Sequence, residues 1–382
     1  MAFLSLYTAS FRNLREAKID IAAKDVFLVG ENGQGKTNFL EALYFCSYAS
    51  SFRGVKDSEI ARSGETDFYT AAVLGQLKNE DKAFSASQYD SLPNQISVKI
   101  EKSRKTITVD GKKILDRKDL LETIPVVVFC HEDMEFISGS QERRRWFFDQ
   151  TQSLYDPVYL DDLRKYRRVL KTRNTVHKDA KVSGDYKEAG GLLDVLDPQL
   201  AEYGLRLMEK RRIAAERFSL VFSPLYEEVS GIRGISVSYV PSWKNADTIS
   251  FIVEYLSEKR AADTAQAVSL SGPHRDRYLF KQKERTEQFS DNASTGQQRL
   301  LALLLRVAQA RCFSEYTGKT PVLLLDDVLL ELDGEKRRRF LSVLPDYEQA
   351  FFTFLPEEPY KSYSKSGTLV YNVKNGIIGK EI

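Results

Sequence analysis

Cysteine and histidine are scarce in this chain, with three of each among 382 residues. Cys46, Cys130 and Cys312 are scattered without CxxC spacing, so neither a zinc cluster nor a disulfide framework can be assembled from them, and a reducing cytoplasm is the expected setting. Long apolar runs are missing too. Nothing approaches the roughly 18 to 20 residues that span a bilayer, and the stretch after Met1 meets charge too soon, at Arg12 and Arg15, for a signal peptide. The protein is therefore expected to be neither secreted nor membrane-spanning. Net charge is nearly absent: 56 Lys and Arg against 54 Asp and Glu leave +2, so any basic surface must be local. What is present is a 42% hydrophobic, 11% aromatic and 29% charged composition, which suits a globular protein with a full core. The length suits one main body plus an appended part.

The first seventy or so residues alternate strand-like and helix-like segments. The apolar run Val26 to Val29 reads as a buried strand, and Gly30-Glu31-Asn32-Gly33-Gln34-Gly35-Lys36-Thr37 follows it at once. That octet fits GxxxxGK[ST] at every required position and runs into the helix-like Asn38 to Tyr44. Glycines at 30, 33 and 35 let backbone N–H groups converge on a phosphate, and the helix opening near Lys36 adds its positive end. Lys36 is placed to reach the β- and γ-phosphates. Thr37 offers a hydroxyl to Mg²⁺, which prefers oxygen ligands.

Near the other end, Val322 to Leu325 is a second buried-strand run that ends in Asp326 and Asp327. Ligands of open α/β sheets bind at this carboxyl edge. Asp326 suits magnesium held through water, and Asp327 suits orienting or deprotonating an attacking water. Between the two sites, Ser294-Thr295-Gly296-Gln297 opens the long apolar helix from Leu300, a second anion-binding helix end.

Loop, Ser-x-Gly-Gln turn, hhhhDD strand and then Glu331-Leu332-Asp333 resemble, in that order, the ATP-binding-cassette ATPases. Phe11-Arg12-Asn13-Leu14, Ser51-Phe52-Arg53 and Gly272-Pro273-His274-Arg275-Asp276 narrow the resemblance to the RecF family of bacterial recombination proteins, over about residues 3 to 335. The resemblance implies an α/β fold: a cassette-type P-loop ATPase head, with a mixed sheet flanked by helices, and an inserted, mainly helical arm. It implies ATP with Mg²⁺ bound by Gly30 to Thr37, catalysis by Lys36, Asp326 and Asp327, and magnesium held by Thr37 and Asp326. Ser294, Gly296, Gln297 and Asp333 would meet the nucleotide of a second copy in an ATP-dependent homodimer. It also implies slow, DNA-dependent hydrolysis, DNA partners that are single-stranded, gapped or duplex beside a gap, the RecR and RecO proteins, and roles in replication, recombinase loading and SOS induction.

Three departures qualify this. Arg277 stands where the family usually has a second aspartate, so a role built on that acid does not transfer. Phe129-Cys130-His131-Glu132-Asp133 keeps only the two acids of the family's segment, in the place of the Q-loop. Thr353 stands where many cassette ATPases carry a switch histidine.

Lys36 and Ser294 are 258 residues apart, more than a transporter cassette needs, so the head is expected over residues 1–137 and 231–382 with a helical arm at 138–230. Tyr159, Leu163, Tyr166 and Leu170 form one helical stripe, and Arg164, Arg168 and Lys171 another. Nine basic and four acidic residues between 143 and 173 read collectively as a phosphate-contacting surface and singly as solvated helix faces. No heptad pattern is sustained long enough for a chromosome-maintenance coiled coil. Two other readings stand beside the DNA-binding ATPase. A transporter's energising subunit is disfavoured by the insertion and by Thr295 in the signature, and a nuclease fusion lacks a carboxylate cluster after Asp333. Lys336 to Arg339 reads as a solvated helix face ahead of a DNA contact.

Overall fold

The computed structural model describes residues 1–77, 94–121, 123–283, 288–329 and 332–381. They form two compact units: residues 1–133 with 309–382, and residues 134–308. The arm expected at 138–230 lies within the second unit, which continues through the signature turn.

The first unit holds two sheets. The first is antiparallel, and its strands in chain order are β1 (Ala2–Ala9), β2 (Ala17–Asp20), β4 (Phe68–Gly75), β5 (Gln95–Glu101), β6 (Arg104–Val109) and β7 (Lys112–Lys113), arranged β2-β1-β4-β5-β6-β7. The second contains β3 (Asp25–Val29), β8 (Val126–Phe129), β11 (Val322–Leu325), β12 (Gln349–Phe354), β13 (Leu369–Lys374) and β14 (Ile377–Lys380). Its order is β14-β13-β3-β12-β11-β8, parallel except for the β13–β14 hairpin. Every residue of β3, β8, β11 and β12 is buried, as parallel strands covered on both faces require. Phe27 packs edge-on against Phe352 and Phe354 at centroid distances of 5.4 and 5.0 Å. Gln349 ties the sheets together: its buried amide donates to the carbonyls of Phe3, Ile21 and Ala23 and accepts from the Phe3 N–H. Helices α1 (Lys36–Tyr48), α2 (Arg117–Leu121) and α9 (Gly334–Val343) complete this unit.

The second unit is mainly helical: α3 (Gln141–Ser153), α4 (Pro157–Ser183), α5 (Tyr186–Ser230), α6 (Ile249–Gln266) and the short α7 (Phe289–Asn292), with the hairpin of β9 (Ile235–Val240) and β10 (Arg277–Gln282). Helix α8 (Thr295–Thr317) begins in it and ends in the first unit. Asp156 caps α4 ahead of Pro157, Gly184 ends α4 in the left-handed region, and Asp185 caps α5, so a two-residue link makes the helical hairpin. Tyr159, Leu163, Tyr166 and Val169 of α4 pack with Leu200, Leu207 and Met208 of α5 and Ile252 and Leu256 of α6.

Buried charge braces this unit. Arg173 of α4, fully buried, reaches Asp197 of α5 at 2.8 Å and Asp263 of α6 at 2.6 Å, and Arg260 adds a 2.7 Å bond to Asp197. Burial first, and the Arg173 charge next, hold the adjacent His177 down at about 4, so it is neutral there. Arg211 of α5 grips both oxygens of Asp149, at 2.8 and 3.1 Å, and Asp276 at 2.8 Å. Asp276 belongs to the Gly-Pro-His-Arg-Asp segment, which is thus wired into this unit's interior: His274 Nδ1 lies 2.7 Å from the Tyr166 hydroxyl and its Nε2 lies 2.9 Å from the Ser269 carbonyl. Arg277 is exposed at the start of β10.

Candidate nucleotide site

β3 ends at Val29 and the glycine loop crosses directly to α1. Gly35, the N-cap of α1, has φ 117, which side-chain-bearing residues rarely adopt, and makes no side-chain cap. The first N–H groups of α1 are therefore left for an outside acceptor, at the helix's positive end. Gly30 answers a different constraint, since a Cβ there would sit 2.3 Å from the Val373 carbonyl of β13. Glu31, Asn32 and Gly33 are exposed and Gln34 is half-buried.

Lys36 is buried and folded back on its own loop, donating to the carbonyls of Gly30 at 2.6 Å and Glu31 at 3.3 Å. Its Nζ also lies 3.9 Å from Asp327 Oδ1. Thr37 donates to Asp326 Oδ1 at 2.9 Å across 289 residues of sequence, so the two ends of the chain meet where their chemistry asked them to.

Asp326 continues the β11 ladder, donating its N–H to the Phe129 carbonyl at 2.9 Å, whereas Asp327 turns away with φ 53. Thr353 of β12 fixes that turn. Its hydroxyl accepts from the Asp327 N–H at 2.7 Å and donates to Asp327 Oδ1 at 2.8 Å, with Asp326 Oδ1 3.2 Å away. Burial foremost, then the Asp327 charge, push the Asp326 carboxyl up to about 7, against the bonds from Thr37 and Thr353 and the charge of Arg53. Two hard oxygens, Thr37 Oγ1 and Asp326 Oδ1, thus lie together beside the loop, a donor set that suits Mg²⁺ completed by phosphate and water. No cluster of three or more His, Cys, Asp or Glu that could hold a metal by itself occurs among the described residues.

The signature turn lies in the second unit. Ser294 Oγ accepts from the Gln297 N–H at 3.3 Å while Gln297 Oε1 accepts from the Ser294 N–H at 2.8 Å, a reciprocal capping box at the start of α8. The Ser294 hydroxyl expected to face a phosphate is thus also a cap acceptor, with its own proton still to donate. Gly296 is exposed, its φ is ordinary, and a Cβ there would meet nothing within 4 Å, so nothing in the chain itself calls for glycine. Asp333 is the exposed N-cap of α9, accepting from the Lys336 N–H at 2.9 Å, and Glu331 lies outside the described residues. Asp133 is buried and accepts from the Cys130 N–H at 3.0 Å, and Glu132 is half-buried.

Three supports were not foreseen. Gln34 is held by the β13–β14 turn: its side chain accepts from the Asn375 N–H at 2.7 Å and its carbonyl from the Gly376 N–H at 2.9 Å. Asn13 donates to the Gly33 carbonyl at 3.2 Å and accepts from Asn38 at 2.8 Å. Glu41 of α1, fully buried, binds Arg12 through both oxygens at 2.9 Å and lies 3.7 Å from Arg53. The Asn-Gly pair at 375–376 carries the sequence signal of a two-residue hairpin turn, and Arg12, Asn13 and Arg53 lie in segments that carry the family resemblance without stating these contacts.

The family model "RecF/RecN/SMC N terminal domain" matches residues 3–378. A DNA replication and repair protein RecF of Treponema pallidum is 41% identical over 373 residues, covering 96% of this chain and 98% of that one. One from Clostridium perfringens is 31% identical, covering 99% of both. Among solved structures, the recombination mediator protein RecF-ATP in the RecFOR pathway aligns with a TM-score of 0.86 and 28% identity, covering 100% of this chain and 97% of that one.

Proposed function

The chain belongs to the RecF family of DNA replication and repair proteins, and from that premise we propose that it is an ATP-driven DNA clamp subunit whose catalytic site is completed by a second copy of itself. The observation that carries this reading is the 2.9 Å bond from Thr37 to Asp326, with Lys36 and Asp327 beside it. The transporter alternative gives way to family membership, and no helix among the described residues is long and apolar enough to cross a membrane.

In this reading the loop 30–37 and the start of α1 bind the phosphates of ATP. Lys36 leaves the Gly30 and Glu31 carbonyls for the phosphate oxygens, exchanging neutral acceptors for charged ones. When bound, Mg²⁺ would be held by Thr37 and Asp326 and would offset phosphate charge during transfer. Asp327, fixed through Thr353, orients or deprotonates the attacking water. Asp is one methylene shorter than the Glu of many cassette ATPases, in line with slow turnover. Ser294, Gly296 and Gln297 of one copy face the loop of the other, where the empty space beside Gly296 admits a phosphate. ATP then joins two copies around DNA, hydrolysis releases them, and residence at a single-strand gap gives RecO and RecR time to load recombinase.

The test separates binding from release. Lys36→Met abolishes ATP binding and ATP-stimulated DNA binding; retained nucleotide affinity contradicts the loop assignment. Asp327→Asn keeps ATP binding and prolongs residence on DNA, and normal turnover in that variant moves catalysis elsewhere.

A further inference from the structure

We propose that the solvent-facing stripe of α4, formed by Arg164, Arg168, Lys171 and Lys178, is the track on which the backbone of duplex DNA rests. The inference deepens the DNA-binding reading and rests on it. α4 turns one face inward, with Tyr159, Tyr166, Val169, Arg173 and His177 all buried. At 3.6 residues per turn the four basic residues fall on the opposite face, at i, i+4, i+7 and i+14. Arg168, Lys171 and Lys178 are exposed, and Arg164 is partly exposed with Asp161 at 4.0 Å.

The contrast with α5 decides between a track and an ordinary solvated face. On α5 three basic side chains along the middle of the helix are matched: Arg206 with Glu202 at 2.5 Å, Lys210 with Asp156 at 2.9 Å, and Arg212 with Glu216 at 3.4 Å. That is the mixed pattern a helix carries for solubility. On α4, Arg168, Lys171 and Lys178 have no acidic partner among the described residues, so these three carry same-sign repulsion that no ion pair among those residues offsets. A polyanion offsets it. The uncharged Thr175 sits between Lys171 and Lys178 with its hydroxyl turned back to the Lys171 carbonyl, so no acid interrupts the row there. From 168 to 178 the stripe covers about 15 Å at 1.5 Å per residue, roughly four nucleotide steps of one strand. No aromatic residue stands in the stripe. Single-strand binders combine basic grooves with aromatic platforms for unstacked bases, so a purely cationic row favours the phosphates of a duplex.

The test is binding of the full-length protein with ATP to labelled duplex and single-stranded oligonucleotides across a salt series. The triple variant Arg168→Gln, Lys171→Gln, Lys178→Gln is compared with wild type and with an equal charge loss elsewhere, Lys102→Gln, Arg104→Gln, Lys112→Gln on the exposed β5–β6–β7 edge. Both retain wild-type ATP affinity and helicity, since all six positions are on the surface. The α4 variant is expected to lose about tenfold to hundredfold in duplex affinity at low salt. Its slope of log K against log salt becomes shallower by roughly 2 to 3, from about 0.9 per phosphate contact. The edge variant keeps affinity and slope. An α4 variant with unchanged affinity and slope overturns the proposal, as does an equal loss in the edge variant or a larger loss on single strands than on duplex. Wild type that binds neither DNA form overturns the DNA reading itself, and the track with it.

Discussion

Asp326 is the residue whose chemistry the fold disturbs most visibly at the site. Its carboxyl is pushed up to about 7 from an ordinary value near 4, first by burial and then by Asp327. A carboxyl with a raised folded-state value binds its proton more tightly in the native chain than in the unfolded one, so stability is lost as pH rises from about 4 through about 7. The nucleotide-free wild type is therefore expected to lose thermal stability relative to Asp326→Asn over that window and to hold a constant deficit above it. A difference that does not change with pH contradicts the assignment. Thr353 is legible from sequence by resemblance, as the residue standing where many cassette ATPases carry a switch histidine; its two bonds to Asp327 give it a task that this place alone does not state. Thr353→Val is expected to lower ATP turnover by about tenfold or more with ATP affinity nearly unchanged, because it frees the residue that positions water. Equal loss of binding and turnover would show a structural role only.

At the scale of elements, the glycine loop and the two buried strands beside it were legible because their signals are local: a spacing of glycines, a run of apolar residues, an acid at the strand end. The contact of the β13–β14 turn with Gln34 was not, since it depends on β13 pairing with β3 across the whole chain. Gly376, with φ 74, packs so closely that a Cβ would lie 1.9 Å from the Asn13 carbonyl. Gly376→Ala is expected to weaken ATP binding by about tenfold through the loop it supports; unchanged affinity in calorimetry contradicts that support. The brace in the second unit was illegible for the opposite reason, because charged residues in a sequence read as exposed and here they are interior. Arg173→Met leaves Asp263 buried without its main partner, and a loss of about 3 to 5 kcal/mol is expected. The same change removes a charge that holds His177 down, so the His177 value rises above about 4. Denaturant melts and histidine NMR titration check the two effects, and an unshifted histidine would contradict the coupling.

For the whole molecule, the central claim is that one chain carries the parts of a nucleotide site but not a finished one. The phosphate loop and the paired aspartates belong to the first compact unit, and the signature turn belongs to the second, capped and exposed with open space beside Gly296. Chain order alone suggested that these motifs work together, whereas their working between copies came from resemblance. The measurement that tests it most directly is the solution mass by light scattering, without nucleotide and with ADP or ATP, for wild type and Ser294→Arg. The account predicts a monomer that doubles only with ATP, and a Ser294→Arg variant that binds ATP as tightly as wild type yet stays a monomer. A wild-type mass indifferent to ATP, or a Ser294→Arg chain that still doubles, would contradict it.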